Sequence, residues 1–184
     1  MKGTDQMKRA DYEIQSERAL RLFEKASIIL TESEKKSIEV ADFGLDRVEK
    51  VGLQLIVYVN TDRVCAKEMA LTKWQTCPEH MHVPCYGNEG KEETFRCRYG
   101  TVYLYVSGSG TADEITAPLP ETKTSVYHEI VLHAGEQYTI YPGTLHWFTG
   151  GPEGAVVSEF STHSTDETDV FTDPEIVRAP VIED

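Results

Sequence analysis

His80 and His82 stand two residues apart, Glu93 follows inside a run rich in aromatic and β-branched residues, and His146 opens another such run just after Pro142-Gly143. On a strand, residues i and i+2 share a face, so both imidazoles point one way and Met81 the other. Three ring nitrogens and one carboxylate converging from β-structure make a rigid donor set for one divalent cation, and Mn, Fe, Ni, Co and Zn all suit it. The bland alternative is a chance H-x-H with both rings solvated; Glu93 and His146 weigh against it. His128, His133 and His163 have no partners at ligand spacing and read as surface residues or neighbours of the ligands.

Those four positions need a scaffold that brings them together. Residues 17–26 space Leu20, Leu22, Phe23 and Ala26 between charged residues, the pattern of an amphipathic helix. Thr31 followed by Glu34 is a capping box that opens a second helix through about Val40, and 42–50 reads as a loop around Gly44. Strands are expected at 51–60, 64–71, 94–99, 101–107, 126–132, 137–141 and 155–160. Gly100 is expected to be a tight turn, with 133–136 and 150–154 as hairpin connections. Val102, Leu104 and Val106 alternate with Tyr103 and Tyr105, so that strand is apolar on both faces and covered on both sides. Many short strands punctuated by turns imply a barrel or sandwich. The polar stretch 108–124 is a surface loop able to border a site mouth, and the acidic, proline-punctuated 162–184 is an irregular arm over the body.

The 184 residues are enough to bury a core without disulfide support. Asp and Glu number 31 against 18 Lys and Arg, a formal net charge of −13, and the pI is near 4.9. Nucleic acid and anionic membrane demand a positive footprint, so neither is expected as a partner. No stretch approaches the length of a membrane-spanning helix and 1–18 lacks an apolar core, so the chain is expected to stay in the cytoplasm. Cys65, Cys77, Cys85 and Cys97 form no C-x-x-C pair, which removes zinc-ribbon and thioredoxin readings and leaves free thiols in a reducing compartment.

His80-Met81-His82, with Glu93 followed after six residues by Gly100, resembles the first motif of the cupin superfamily; Gly135 with Pro142-Gly143-Thr144-Leu145-His146 resembles the second. The gap from His82 to Glu93 is longer than is usual there, so a loop must bulge out before the glutamate. The second motif departs by having Tyr141 and Gly150 where proline and asparagine are usual. Within the cupins the chain is similar to the D-lyxose isomerases. The likeness lies in 51–55, 58–63, 75–80, 90–100, His146-Trp147-Phe148, 153–157 and 171–174, and spans roughly 20–176. The implied fold is all-β, a cupin (jelly-roll type) β-barrel with one or two short N-terminal helices. Its expected division is a flexible tail at 1–16 and one cupin domain at 17–184, with a helical start at 17–40, a barrel at about 50–161 and an arm at 162–184.

The resemblance implies an aldose–ketose isomerase that uses Mn2+, acts on D-lyxose and D-xylulose and on D-mannose and D-fructose, and has His80, His82, Glu93 and His146 as ligands. It places a lysine two before the ligand glutamate, here Lys91, and a glutamate on the strand after the second motif, here Glu159, as the acid–base pair. Moving a carbonyl from C1 to C2 requires carrying a proton between neighbouring carbons through an enediolate, whose charge a Lewis-acidic cation stabilises. Glu159 is the expected proton shuttle. Lys91 would donate to, or electrostatically hold, the developing oxyanion; with a pKa expected to be lowered by the dication, a proton donor and a neutral amine are both chemically possible. Glu159 paired with Arg96 or Arg98, and Lys91 as a solvated member of the acidic run 89–93, are the bland alternatives. Arg96, three on from Glu93, is expected on the outer face. Tyr103, Trp147 and Phe148 are candidate pocket walls, and Glu79 and Asp173 candidate partners for sugar hydroxyls. A cupin dioxygenase or decarboxylase would use the same donor set, as would a sugar-binding cupin without turnover. A homodimer through edge strands is the expected assembly.

Overall fold

The computed structural model describes residues 6–87, 89–178 and 181–183; residues 1–5 of the expected tail and 179–180 and 184 of the expected arm lie outside these. The chain runs β1 (Gln6–Lys8), α1 (Arg9–Lys25), α2 (Glu32–Lys36), β2 (Glu39–Ala41), β3 (Leu53–Asn60), β4 (Cys65–Leu71) and β5 (Thr76–Met81). It continues through β6 (Glu93–Val106), β7 (His128–His133), β8 (Gln137–Ile140), β9 (His146–Ser161), a 3-10 turn (Asp166–Thr168), β10 (Val170–Phe171) and β11 (Val181–Glu183). Nine of these strands form one curled antiparallel sheet, the all-β cupin barrel that the sequence implies.

The central strand of that sheet is β9. One of its edges pairs with β6 along nearly the full length of both; the other pairs with β5 over its first half and β4 over its second. Side chains alternate across a strand, so the row Lys67–Glu159–Phe95 faces inward and the next row, Glu68–Ser158–Arg96, faces outward. Arg96 accordingly meets Gln137 outside the barrel, as expected. The interior is packed by Leu53, Leu55, Met69, Phe95, Leu104, Phe148 and Val157 among others. All four cysteines are free thiols.

Helix α1 covers the outer face. It buries Gln15, Ala19, Leu22 and Phe23, one face at helical spacing, against Ile56, Ala70 and Val156 of the sheet. It starts at Arg9, so residues 9–16, expected as part of a flexible tail, are helical, and the helix has 17 residues and is not short. The sequence hid this because the first turns carry no apolar stripe and Lys8 offers no side-chain cap; pairing of β1 with β11 sets the start. The capping box of α2 is present, with the Thr31 side chain accepting from Glu34 N–H and the Glu34 side chain from Thr31 N–H. That helix stops at Lys36 and not near Val40. Ile38 and Val40 are buried instead against the sheet as β2 pairs with β3.

Two expected turns lie within ladders, and the third turns without making a hairpin. Gly100 is no hairpin: it sits inside β6 at a register shift, with φ +70°. Residues 150–154 belong to β9 and 133–136 form a break between β7 and β8, both of which pair with β6. Bulges keep the chain moving forward where glycine alone suggests reversal. The arm is also more regular than expected, since β10 pairs with β5 and β11 with β1. At Gly100 a Cβ would lie 2.0 Å from the carbonyl oxygen of Gly154. Gly100→Ala is therefore expected to cost about 2 kcal/mol or more, read as a lower urea midpoint at unchanged slope; an unchanged midpoint would mean that the β6–β9 contact opens there without loss.

A candidate metal centre and an adjoining charged cavity

The three histidines and Glu93 meet where strands begin and end. His80 lies near the end of β5 and His82 just past it, while Glu93 is the first residue of β6 and His146 the first of β9. His80 and His146 are direct cross-strand partners, and Gly143 N–H donates to the His82 carbonyl at 3.1 Å, tying the 141–144 turn to β5. The loop 83–92 returns the chain to Glu93. Gly90, at φ +106°, allows this: a Cβ there would stand 2.7 Å from the His82 carbonyl oxygen.

All three imidazoles are buried and their potential ligand atoms lie within 4.8 Å of one another. Each Nδ1 faces an oxygen that only accepts: the Pro78 carbonyl for His80 (2.8 Å), the Thr144 carbonyl for His146 (2.9 Å) and an Asp169 carboxylate oxygen for His82 (2.6 Å). In each ring Nδ1 must therefore carry the proton, which leaves Nε2 as the atom available for a cation. The Nε2 atoms of His82 and His146 are both 3.2 Å from Glu93 Oε1. Two donors held about 2.1 Å from one ion at right angles stand roughly 3 Å apart, so this spacing fits. The Nε2 of His146 is fully buried and, despite that proximity, makes no hydrogen bond among the described residues. An orphaned buried nitrogen beside a carboxylate and two further imidazoles is what a cation site looks like without its cation's bonds. The cluster could hold a divalent metal.

The electrostatics differ from ring to ring. Burial, with His146 and His82 close by, holds His80 well below the ordinary imidazole range. Burial pulls His82 down too, but Glu93 and the hydrogen bond to Asp169 outweigh it and push its pKa up to about 9. Burial would raise Glu93, yet Lys91 and His82 hold it well below the usual carboxylate range.

Behind the cluster lies a small cavity of about 30 Å³. Its apolar wall includes Phe43, Leu55, Met69, Phe95, Phe148 and Phe171; its charged wall consists of Lys67, Lys91, Glu93, Glu159, Asp166, Asp169 and Arg178. Lys91 Nζ faces Glu93 Oε2 at 2.7 Å, Glu159 Oε1 at 3.2 Å and Asp166 Oδ1 at 3.4 Å. Burial opposes its charge, but Glu159, Glu93 and Asp166 hold its pKa well above the ordinary lysine value. Two of these carboxylates, Glu159 and Asp166, are brought in by the fold and are not visible from sequence proximity. Every hydrogen bond to Glu159 falls on Oε1, from Lys91 and from Ser161 at 3.0 Å; Oε2 has none among the described residues. Glu159 meets neither Arg96 nor Arg98, which bond outside to Gln137 and Ser158.

The structure therefore brings together His80, His82, Glu93, His146, Lys91, Glu159 and Phe148, but not the other four candidates. Tyr103 and Trp147 point to the opposite face of β6 and β9, where Trp147 stacks on Tyr105 (3.9 Å) beneath the loop before β7. Parity explains it: they are the outward neighbours of Leu104 and Phe148. Glu79 is fully buried, with both carboxylate oxygens accepting from Ser125, Val126 and Thr172, and so braces the arm against a loop. Asp173 caps its own turn and accepts from Lys123 N–H. His128, His133 and His163 bond elsewhere, to Ser109, Thr101 and Thr61. Lys67, Asp166, Asp169 and Arg178 join the site without having been singled out by sequence pattern. Lys67 shares strand parity with Cys65, Met69 and Leu71 and was legible as inward-facing; the arm residues carry no such signal.

A family model described as D-lyxose isomerase matches residues 24–184. A D-lyxose/D-mannose isomerase of Thermosediminibacter oceani is 59% identical over 170 residues, 91% of this chain and 94% of that relative. A D-lyxose ketol-isomerase of Cohnella laeviribosi is 56% identical over 185 residues, 100% of this chain and 98% of that one. Among solved structures, an L-ribose isomerase of Acinetobacter sp. DL28 bound to L-ribose superposes with a TM-score of 0.72 at 16% identity, covering 98% of this chain and 100% of the other. At that identity the likeness shows the fold alone.

Asp169 orients the His82 ring, and removing such a partner typically weakens metal binding 10–100-fold. Asp169→Asn is expected to lower Mn2+ affinity by roughly that factor in calorimetric titration. Unchanged affinity would mean that another contact sets the ring.

Proposed function

This chain belongs to the D-lyxose isomerase family, and from that premise we propose that it interconverts D-lyxose with D-xylulose, and D-mannose with D-fructose, as a metal-dependent aldose–ketose isomerase. In this reading His80, His82, Glu93 and His146 hold the metal, Mn2+ by preference, through their Nε2 atoms and the Glu93 carboxylate. When bound, a divalent cation supplies Lewis acidity to two adjacent sugar oxygens.

The chain's own groups supply the proton chemistry. Glu159 takes a proton from one carbon and returns it to the neighbour, working through Oε2 while Oε1 is restrained by Lys91 and Ser161. A carboxylate fixed at one oxygen and free at the other is aimed without being neutralised, and such transfer contributes roughly 10²–10⁴-fold. Lys91, whose ammonium faces three carboxylates, acts as a fixed positive charge near the developing enediolate and not as a neutral base. Formally, the cations Lys67, Lys91 and Arg178 face Glu93, Glu159, Asp166 and Asp169. Adding a dication turns a deficit of positive charge into an excess of one, which favours an anionic intermediate over a neutral substrate.

What carries this reading is the unbonded Glu159 Oε2 in the cavity that His80 and Glu93, two members of the candidate donor set, also line. A pocket for O₂ has no use for two lysines, an arginine and a free carboxylate, so the dioxygenase alternative is not favoured. We further read the protein as cytoplasmic and homodimeric. No helix among the described residues is long and apolar enough to cross a membrane, and β2 and β7 leave sheet edges available for pairing.

Purified protein with Mn2+ should convert D-lyxose to D-xylulose under nitrogen; failure to form any ketose would refute the isomerase reading. Glu159→Gln should lower kcat roughly 10²–10⁴-fold while elemental analysis still finds the wild-type metal content. Metal loss in that variant would make Glu159 a structural residue. Light scattering tests the dimer.

A further inference from the structure

The acid–base scheme leaves unexplained the carboxylate of Asp166, which reaches the cavity from the 3-10 turn of the C-terminal arm. Its two oxygens divide their work. Oδ1 lies 3.4 Å from Lys91 Nζ and accepts from Ser164 Oγ; Oδ2 lies 2.6 Å from Lys67 Nζ and 3.2 Å from Arg178 Nη2. Lys67 and Lys91 are in turn the two ammonium groups that flank Glu159 Oε1, at 3.6 and 3.2 Å. Lys67 also stands directly across β4 from Glu159 in the strand register.

Two buried ammonium groups converging on one oxygen repel each other. Lys67 and Lys91 are both only a few per cent exposed, so neither can relieve that repulsion by turning its head into water. A carboxylate that touches both from the far side closes the arrangement into a ring of alternating charge: Glu159, Lys67, Asp166, Lys91. We propose that Asp166 is a positioning residue for proton transfer, bridging Lys67 and Lys91 so that both press on Oε1 of Glu159 and Oε2 stays turned toward the substrate. The inference rests on the isomerase role of Glu159. It makes the C-terminal arm part of the acid–base apparatus, with Lys67 orienting the base without touching the sugar. Burial alone would push the Lys67 ammonium toward neutrality, and Glu159 and Asp166 overcome it, so the ring keeps its charges.

Proton transfer is sensitive to distance, and a misplacement near 1 Å costs on the order of 10²-fold. Asp166→Asn keeps the side chain's shape and removes its charge. It is expected to lower kcat on D-lyxose roughly 10–100-fold with KM changed by no more than about threefold. Bound Mn2+ and the thermal midpoint should stay close to wild type. With D-lyxose deuterated at C2 the primary isotope effect on kcat should rise, because proton transfer becomes more fully rate-limiting; a purely structural role would not move it. Lys67→Met should show the same signature, and the double variant should be far from additive. Wild-type kcat and isotope effect in Asp166→Asn, or a loss of metal and thermal stability that parallels the loss of activity, would overturn the proposal. Should Asp166→Asn not fold, Lys67→Met decides by the same criteria. Failure of the wild-type protein to isomerise D-lyxose would instead sink the isomerase reading, so the two failures are distinguishable.

Discussion

The ammonium of Lys91 is shared among Glu93, Glu159 and Asp166, and this contact joins the histidine cluster to the charged cavity behind it. Placing so many ions away from water costs several kcal/mol each unless every one is paired. The pairing is complete only when all the partners arrive together: Glu93 from β6, Glu159 and His146 from β9, Lys67 from β4 and Asp166 from the arm. Each cation has more than one partner, so the loss of a single carboxylate still leaves it paired: Lys67 with Glu159 or Asp166, Lys91 with two of Glu93, Glu159 and Asp166, and Arg178 with Glu39 or Asp166. The candidate cation site and the proposed proton-transfer group are thus one electrostatic object, and neither could be moved to another place in the barrel alone.

That object needs a stiff frame. β9 supplies it by pairing on both edges, so that His146 at its start and Glu159 near its end keep fixed positions relative to β5, β4 and β6. Helix α1 seals the outer face, while the arm approaches from the other side. Its strand β10 pairs with the residues around His80, Asp169 bonds the His82 ring, and Phe171 packs 5.4 Å from the ring of His80. One short stretch of chain therefore orients a candidate ligand, closes an apolar wall and delivers Asp166. Glu79, buried and fully hydrogen-bonded, is a brace for that stretch where a sugar contact was expected.

Local patterns were legible where they depend on neighbours in sequence. The H-x-H spacing, the capping box at Thr31 and the alternation along 102–106 all carried over because strand and helix periods act within a few residues. Parity errors had a different origin. Tyr103 and Trp147 are large aromatics next to functional positions, but a one-residue step on a strand is a change of side, and nothing local says which side is the cavity. Glycine misled for a related reason: Gly100 and Gly150 suggested turns, whereas the register shifts of β6 against β9 make them bulge or strand positions. The first turns of α1 were invisible because their support is the distant β1–β11 pair.

The resemblance to the D-lyxose isomerases pointed to Lys91 and Glu159; from its residues alone the chain indicated a barrel or sandwich, and three histidines and a glutamate able to hold one cation. Those are statements about residue type and spacing, which short-range stereochemistry constrains tightly. Only the tertiary structure decided which oxygen of Glu159 is free, why Lys91 keeps its charge, and that Lys67, Asp166, Asp169 and Arg178 belong to the same cavity. Those depend on groups 60 to 100 residues apart in sequence meeting within about 3 Å. No local rule encodes such meetings; they follow from strand register and from the need to pair every charge that the fold buries.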